Sequence, residues 1–226
     1  MTTMKLRTQT FLLAAALALG FATTITFAAE PTAPAVSPED GLKKLLDGNA
    51  RFAAGTVEHP NQSEARRTEV AAGQKPFAII VGCADSRTAP ELVFDQGLGD
   101  LFVTRLAGSI VDDAALGSIE YAVEHLGASV IVVLGHERCG AVTAAMEGGK
   151  FPGKIGAFVE PILPAVAAVK KSATPTLDAA IEENARRTAD GLVVRSSILS
   201  ERVKVGTLKI VAARYDLDTG LVTLVK

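Results

Sequence analysis

The chain contains two cysteines, Cys83 and Cys139, and each sits in a short polar motif: Cys83-Ala84-Asp85-Ser86-Arg87, and Gly135-His136-Glu137-Arg138-Cys139-Gly140. Two thiolates and one imidazole are a donor set suited to Zn2+, which takes sulfur and nitrogen ligands in a tetrahedron. Three protein ligands leave a fourth position open, as a catalytic site does, whereas a structural site ordinarily fills all four. The remaining histidines, His59 and His125, lie away from both motifs. Asp85 is open to two roles, as a fourth ligand or as a carboxylate that orients something else. Taken singly these residues say little. A lone cysteine is more often a small buried hydrophobe, a lone histidine is more often a satisfied one, and Asp85 with Arg87 could be an ion pair beside a turn. A Cys83–Cys139 disulfide is a rival of nearly equal weight if the chain is exported to an oxidising compartment. The balance shifts because these soft and polar residues gather immediately after two runs that are otherwise apolar.

Those runs, residues 77–82 (FAIIVG) and 129–135 (SVIVVLG), read as buried parallel strands, and residues 101–106 as a third. In open α/β sheets, sites collect beyond the carboxyl ends of strands, where the chain order reverses. The His-x-x-Cys spacing is read as the first turn of a helix over 137–146, which would put both side chains on one face. Around the strands, Ser37 can cap a helix that has Pro38 at its first position, Glu39 and Asp40 in its first turn and Leu42, Leu45, Leu46 and Phe52 as its stripe. Gly48 and Gly55 are its candidate stops. Further helices are expected over 61–72, 112–126, a proline-broken 155–171, and 177 to about 200 with its cap near Thr176. A strand over 208–214 and a turn at Asp218-Thr219-Gly220 lead into a last strand over 221–225. Strands alternating with helices give an α/β fold: a mainly parallel central sheet with flanking helices, a C-terminal antiparallel edge hairpin and an N-terminal helical arm.

Residues 1–28 read as a cleavable signal peptide. Lys5 and Arg7 precede the apolar segment 11–21, and Thr26 and Ala28 occupy positions −3 and −1 of a cut before Ala29. The apolar segment is short for a membrane span, which needs about 20 residues, and Thr23, Thr24 and Thr26 interrupt its end. Residues 29–37 form a proline-bearing linker, and 38–226 a single domain. A periplasmic or secreted location follows, with no membrane attachment after cleavage. The mature part carries 21 basic and 25 acidic residues, so no basic face is offered to nucleic acid. With no Trp and two Tyr, a stacking platform for bases or sugars is equally unsupported.

The two motifs together, at this separation, resemble the β-class carbonic anhydrases, and the likeness extends from about Leu42 to Val225. It takes in Gly48-Asn49-Ala50-Arg51-Phe52, Gly73-Gln74-Lys75-Pro76, Leu101-Phe102-Val103-Thr104-Arg105 and Gly117-Ser118-Ile119-Glu120-Tyr121. The resemblance implies one Zn2+ per chain on Cys83, His136 and Cys139, and reversible hydration of carbon dioxide to bicarbonate and a proton. It implies an Asp85–Arg87 dyad whose carboxylate accepts a hydrogen bond from the zinc-bound hydroxide. Gln74 is then an amide that binds substrate or anion, and Phe102, Tyr121 and Ala107 are pocket walls, some shared across the interface of a homodimer or higher even oligomer. Gly140 would be the point where chains approach the metal. The disulfide reading recedes accordingly. Leu106, Ser109 and Thr88 depart from residues frequent in the family, which touches packing beside the site. Some members close the site when the carboxylate moves onto zinc, with bicarbonate in a pocket built partly from tryptophan; this chain has none, so Asp85 is expected on Arg87. Two other uses of the ligands stay open here: hydrolysis of carbon disulfide or carbonyl sulfide, and exported zinc binding without turnover.

Overall fold

The computed structural model describes residues 36–226; the expected leader and residues 29–35 of the linker lie outside the described residues. Four parallel strands, β1 (Ala78–Gly82), β2 (Leu101–Arg105), β3 (Val130–His136) and β4 (Lys209–Tyr215), and one antiparallel strand, β5 (Val222–Leu224), form a single sheet in the order β2-β1-β3-β4-β5. Every residue of β1 and β3 is buried, which is why neither shows apolar–polar alternation. From β1 the chain steps outward to β2, then crosses back over β1 to β3. The order therefore reverses between β1 and β3, and the crevice at their carboxyl ends is the place such sheets reserve for ligands.

Helices cover both faces. On one, α4 (Asp113–Leu126), α8 (Leu177–Arg195) and α9 (Ser197–Lys204) enclose Ile79, Val81, Ile119, Ile131, Val133, Leu192 and Leu199. On the other, α1 (Pro38–Ala53) and the short α3 (Pro90–Val93) enclose Leu42, Leu45, Ile80, Phe94, Val132 and Leu134. The exposed α2 (Glu64–Val70) leads into β1, and α5 (Gly140–Glu147), α6 (Gly156–Val159) and α7 (Leu163–Val169) follow β3. Among the described residues no helix is long and apolar enough to cross a membrane.

The fold class read from the sequence is the observed one, with local corrections. The Ser37 side chain accepts from the Asp40 amide as expected, but α1 runs through Gly48 to Ala53. Gly48 is there for proximity: a Cβ would sit 1.9 Å from the Phe94 carbonyl oxygen. The apolar stripe of α1 packs on its own sheet, so it does not call for a partner chain. The helix expected to reach about 200 breaks at Ser196, whose hydroxyl accepts from the Leu199 amide at 3.2 Å to cap α9 and donates to Glu120 at 2.6 Å. Continuous helical periodicity across 177–204 conceals that break, since both helices face the same core.

Two buried polar residues tie α1 to distant chain. Asn49 donates to the carbonyls of Val93 and Gly220, at 3.1 and 2.8 Å, and accepts from the Val222 amide at 2.8 Å. Asp95, its side chain 1% exposed, takes Arg51 at 2.6 Å and the amides of Glu58 and His59, each at 3.0 Å. Burial pushes the Asp95 carboxyl up, but the two amides and the guanidinium outweigh it and hold it below the usual carboxylate range. A depressed folded pKa contributes stability above the unfolded value near 3.9, and that contribution is lost as pH falls through the folded value. Asp95→Asn is therefore expected to cost about 2 kcal/mol at pH 7. The gap in melting temperature between variant and parent should narrow below about pH 4, as differential scanning calorimetry across pH would show.

Candidate metal centre and active site

The β1–β3 ladder pairs Ile80 with Val132 and Val81 with Val133. Carried forward, that register brings Cys83, just past β1, opposite Gly135, one residue before His136 at the end of β3. His136 and Cys139 are not on one helical turn, as the spacing suggested. His136 closes a strand, Arg138 takes a left-handed φ of 50°, and Cys139 is the residue before α5. The turn, not helical periodicity, points both side chains at Cys83. The donor atoms of Cys83, His136 and Cys139 all lie within 4.8 Å of one another, and all three residues are buried. Neither cysteine is in a disulfide.

Three details make this set fit a metal ion. The ring nitrogen Nδ1 of His136 lies 2.8 Å from the Glu137 carbonyl oxygen, an acceptor that requires the proton on Nδ1 and leaves a lone pair on Nε2. That Nε2 is buried and without a hydrogen-bond partner, a state that costs about 1–3 kcal/mol unless something binds it. The neighbouring Cys139, opposed by burial and assisted by His136 and the Gly108 amide, draws the Cys83 thiol down to about 4, and Cys83 with burial drives Cys139 up. A divalent cation taken by both as thiolates displaces the proton that Cys139 otherwise keeps.

Around the donors, backbone and guanidinium groups fix the loops. Arg105, at the end of β2, donates to the carbonyls of Cys83, at 2.8 Å, and of Asp85. Arg87 clamps Asp85 through Nε at 2.9 Å, Nη2 at 2.8 Å and its own amide at 2.9 Å. These bonds, with the Arg87 side chain first, overcome the cost of burial and hold the Asp85 carboxyl far below the usual carboxylate range. Asp85 Oδ2 remains 3.8 Å from His136 Nε2, beside the donor set and turned to arginine. The turn bearing His136 and Cys139 is fastened to the C-terminal hairpin. Glu137 accepts from the Leu217 amide at 3.1 Å, and Arg138 binds both oxygens of Asp218 at 2.8 and 2.9 Å. Glu137, Asp216 and Asp218 also converge, and Glu137 and Asp218 are engaged in this fastening.

Residues 78–222 match the carbonic anhydrase family model. The chain belongs to the β-class carbonic anhydrases. "Carbonic anhydrase 2" of Mycobacterium tuberculosis strain H37Rv is 47% identical over 195 residues, covering 84% of this chain and 94% of that one. The carbonic anhydrase of Mycolicibacterium smegmatis is 43% identical over 195 residues, covering 84% and 95%. The solved Coccomyxa β-carbonic anhydrase in complex with acetazolamide superposes with a TM-score of 0.65 at 27% identity, covering 81% of this chain and 85% of that chain.

Of the residues singled out by family likeness, Asp85, Arg87 and Ala107 join the metal donors, Ala107 packing against the cluster that holds both cysteines. Gln74, Phe102 and Tyr121 are not among the residues packed there. Gln74 is exposed in the segment before β1, Phe102 packs on the α4 side of the core, and Tyr121 is 50% exposed, its ring 5.1 Å from that of His125. Gly140 opens α5, and a Cβ there would meet nothing within 4 Å in its own chain. Sequence reasoning gave Arg105 no role, marked Ser109 only as a departure beside the site, and missed Gly108 and Asn184. A charged residue ending an apolar strand was the available signal for Arg105 and the small-residue turn 107–109 for Gly108; a polar residue inside a helix was the only one for Asn184. Ser109, where the family often has asparagine, holds a left-handed φ of 54° while its hydroxyl donates to the Leu134 carbonyl at 2.8 Å.

Purified protein should contain about one zinc per chain, and Cys83→Ser should carry none, because one thiolate and one imidazole leave the site short of a stable set. Elemental analysis reads both. Parent protein with no zinc and an intact Cys83–Cys139 disulfide would refute the metal centre.

Proposed function

We propose that this chain reversibly hydrates carbon dioxide to bicarbonate and a proton, as an exported enzyme working in at least a dimer. The observation that carries the chemistry is the bare Nε2 of His136 beside two sulfurs, with an arginine-clamped carboxylate 3.8 Å away. Zn2+ held by Cys83, His136 and Cys139 supplies a Lewis acid that lowers the pKa of water towards neutrality.

The residues of the chain do the rest. With its pKa far below neutrality, Asp85 is ionised and can only accept a hydrogen bond. It therefore accepts a hydrogen bond from the O–H of the attacking oxygen, which keeps its proton, and a lone pair is turned towards the substrate carbon. Arg87 prevents the carboxylate from swinging onto the donor set by engaging both of its oxygens. A carbon–oxygen bond forms, bicarbonate departs, and the proton passes to buffer. Storage of zinc requires none of this orientation, which favours turnover over a binding role.

Gln74, Phe102 and Tyr121 serve a pocket completed by a second copy. Support comes from Tyr121, half exposed, and from β2, which lies at the edge of the sheet with one side unpaired among the described residues. Export rests on the leader pattern in residues 1–28.

Asp85→Asn should keep its zinc and lose turnover by about 10²–10⁴-fold in stopped-flow hydration; loss of the metal would instead make Asp85 a ligand, and unchanged turnover would remove it from the mechanism. Light scattering should give a dimer or larger even assembly, and a fully active monomer would reject the shared pocket. Mass spectrometry of protein recovered from the exporting host should find a chain starting at Ala29; an intact Met1 would reject cleavage.

A further inference from the structure

Asn184 lies in the interior of α8, 5% exposed, between the apolar residues Ile181 and Ala185. An asparagine there is poorer for the helix than alanine or leucine and places an amide where an apolar side chain would suit the neighbours. Its Nδ2 donates to the Gly108 carbonyl at 2.8 Å, across 76 positions of sequence. The amide of the same Gly108 donates to Cys83 Sγ at 3.3 Å.

The loop that makes this contact is held in a form that the chain does not adopt readily. Gly108 has φ 74° and ψ 16°, and Ser109 has φ 54°, two left-handed residues in succession. A Cβ on Gly108 would come within 2.5 Å of Ile162 Cδ1 and 3.1 Å of Ala141 Cβ. Three bonds keep the loop there: the Ser109 amide to the Leu106 carbonyl at 3.0 Å, the Ser109 hydroxyl to the Leu134 carbonyl at 2.8 Å, and Asn184 to Gly108. The Ser109 hydroxyl fixes the flank. The Gly108 carbonyl and the Ser109 amide belong to one planar peptide, held at one edge by Leu106 and at the other by Asn184, the one side chain that binds it and so helps to set the rotation of the residue whose amide faces the sulfur.

We propose that Asn184 is a positioning residue of the metal centre, setting through Gly108 the hydrogen bond received by Cys83 and hence how firmly that sulfur holds the metal. An N–H group directed at a thiolate withdraws charge from it and pins its direction, as partners of ligands generally do. This deepens the zinc reading and rests on it.

Asn184→Leu keeps the shape of the side chain and removes the donor; Asn184→Gln retains an amide and serves as the conservative comparison. Zinc-loaded parent and variants are mixed with excess chelator and the release of zinc is followed, and cobalt-substituted forms are compared by their sulfur-to-metal charge-transfer absorption. Asn184→Leu should release zinc about 10–100-fold faster than parent and shift the cobalt band, with partial recovery in Asn184→Gln. A folded Asn184→Leu that matches the parent in both readings overturns the proposal. Should that variant not fold, the cadmium-113-substituted parent decides: a scalar coupling between cadmium and the Gly108 amide proton is expected through the sulfur. A metal-loaded parent lacking that coupling overturns the role given to Asn184 and leaves the zinc site standing. A parent that takes up no metal overturns the zinc reading itself.

Discussion

Parallel pairing of β1 with β3 is the constraint from which the site follows. Both strands are buried along their whole length, so their register is fixed by packing on two faces: a slip of one residue would turn every side chain to the wrong layer. That register sets Cys83 beside the end of β3, and the reversal of strand order opens a crevice there. Two soft ligands on separate, distant segments are thus brought together by apolar side chains that never touch the metal.

Hydrogen bonds then settle charge and direction. The Glu137 carbonyl decides which nitrogen of His136 carries the proton, Arg87 decides where Asp85 points, and Arg105 holds the two carbonyls between them. Arg87 and Arg105 are permanently protonated near neutrality. The ionised state of Asp85 and its direction are therefore set by geometry.

The metal ligands and the dyad were legible as a group because they gather directly after two apolar strands, and the family resemblance supplied their separate roles. The same apolar runs placed the strands within a residue or so. Local geometry was less readable. The His136–Cys139 turn resembles a helix start in spacing, and only the left-handed Arg138 reveals otherwise. The break at Ser196 leaves no mark in the pattern, because α8 and α9 bury the same face. Gln74, Phe102 and Tyr121 came from family likeness alone, and no local signal in one chain says what a second would cover. Asn184 escaped notice because its partner is a backbone carbonyl 76 positions away, a relation with no signature in spacing.

The fastening of the ligand turn to the C-terminal hairpin also makes the two share their stability. Glu137 is held by the Leu217 amide, Arg138 by Asp218, and Asn49 binds both Gly220 and Val222. The helix that begins the domain and the hairpin that follows β4 therefore share one set of contacts, and the His136–Cys139 turn is attached to it. A cation that stiffens this turn is thereby linked to the docking of a segment 80 positions away in sequence. Metal affinity and the hold of the hairpin on the domain become two readings of one free energy.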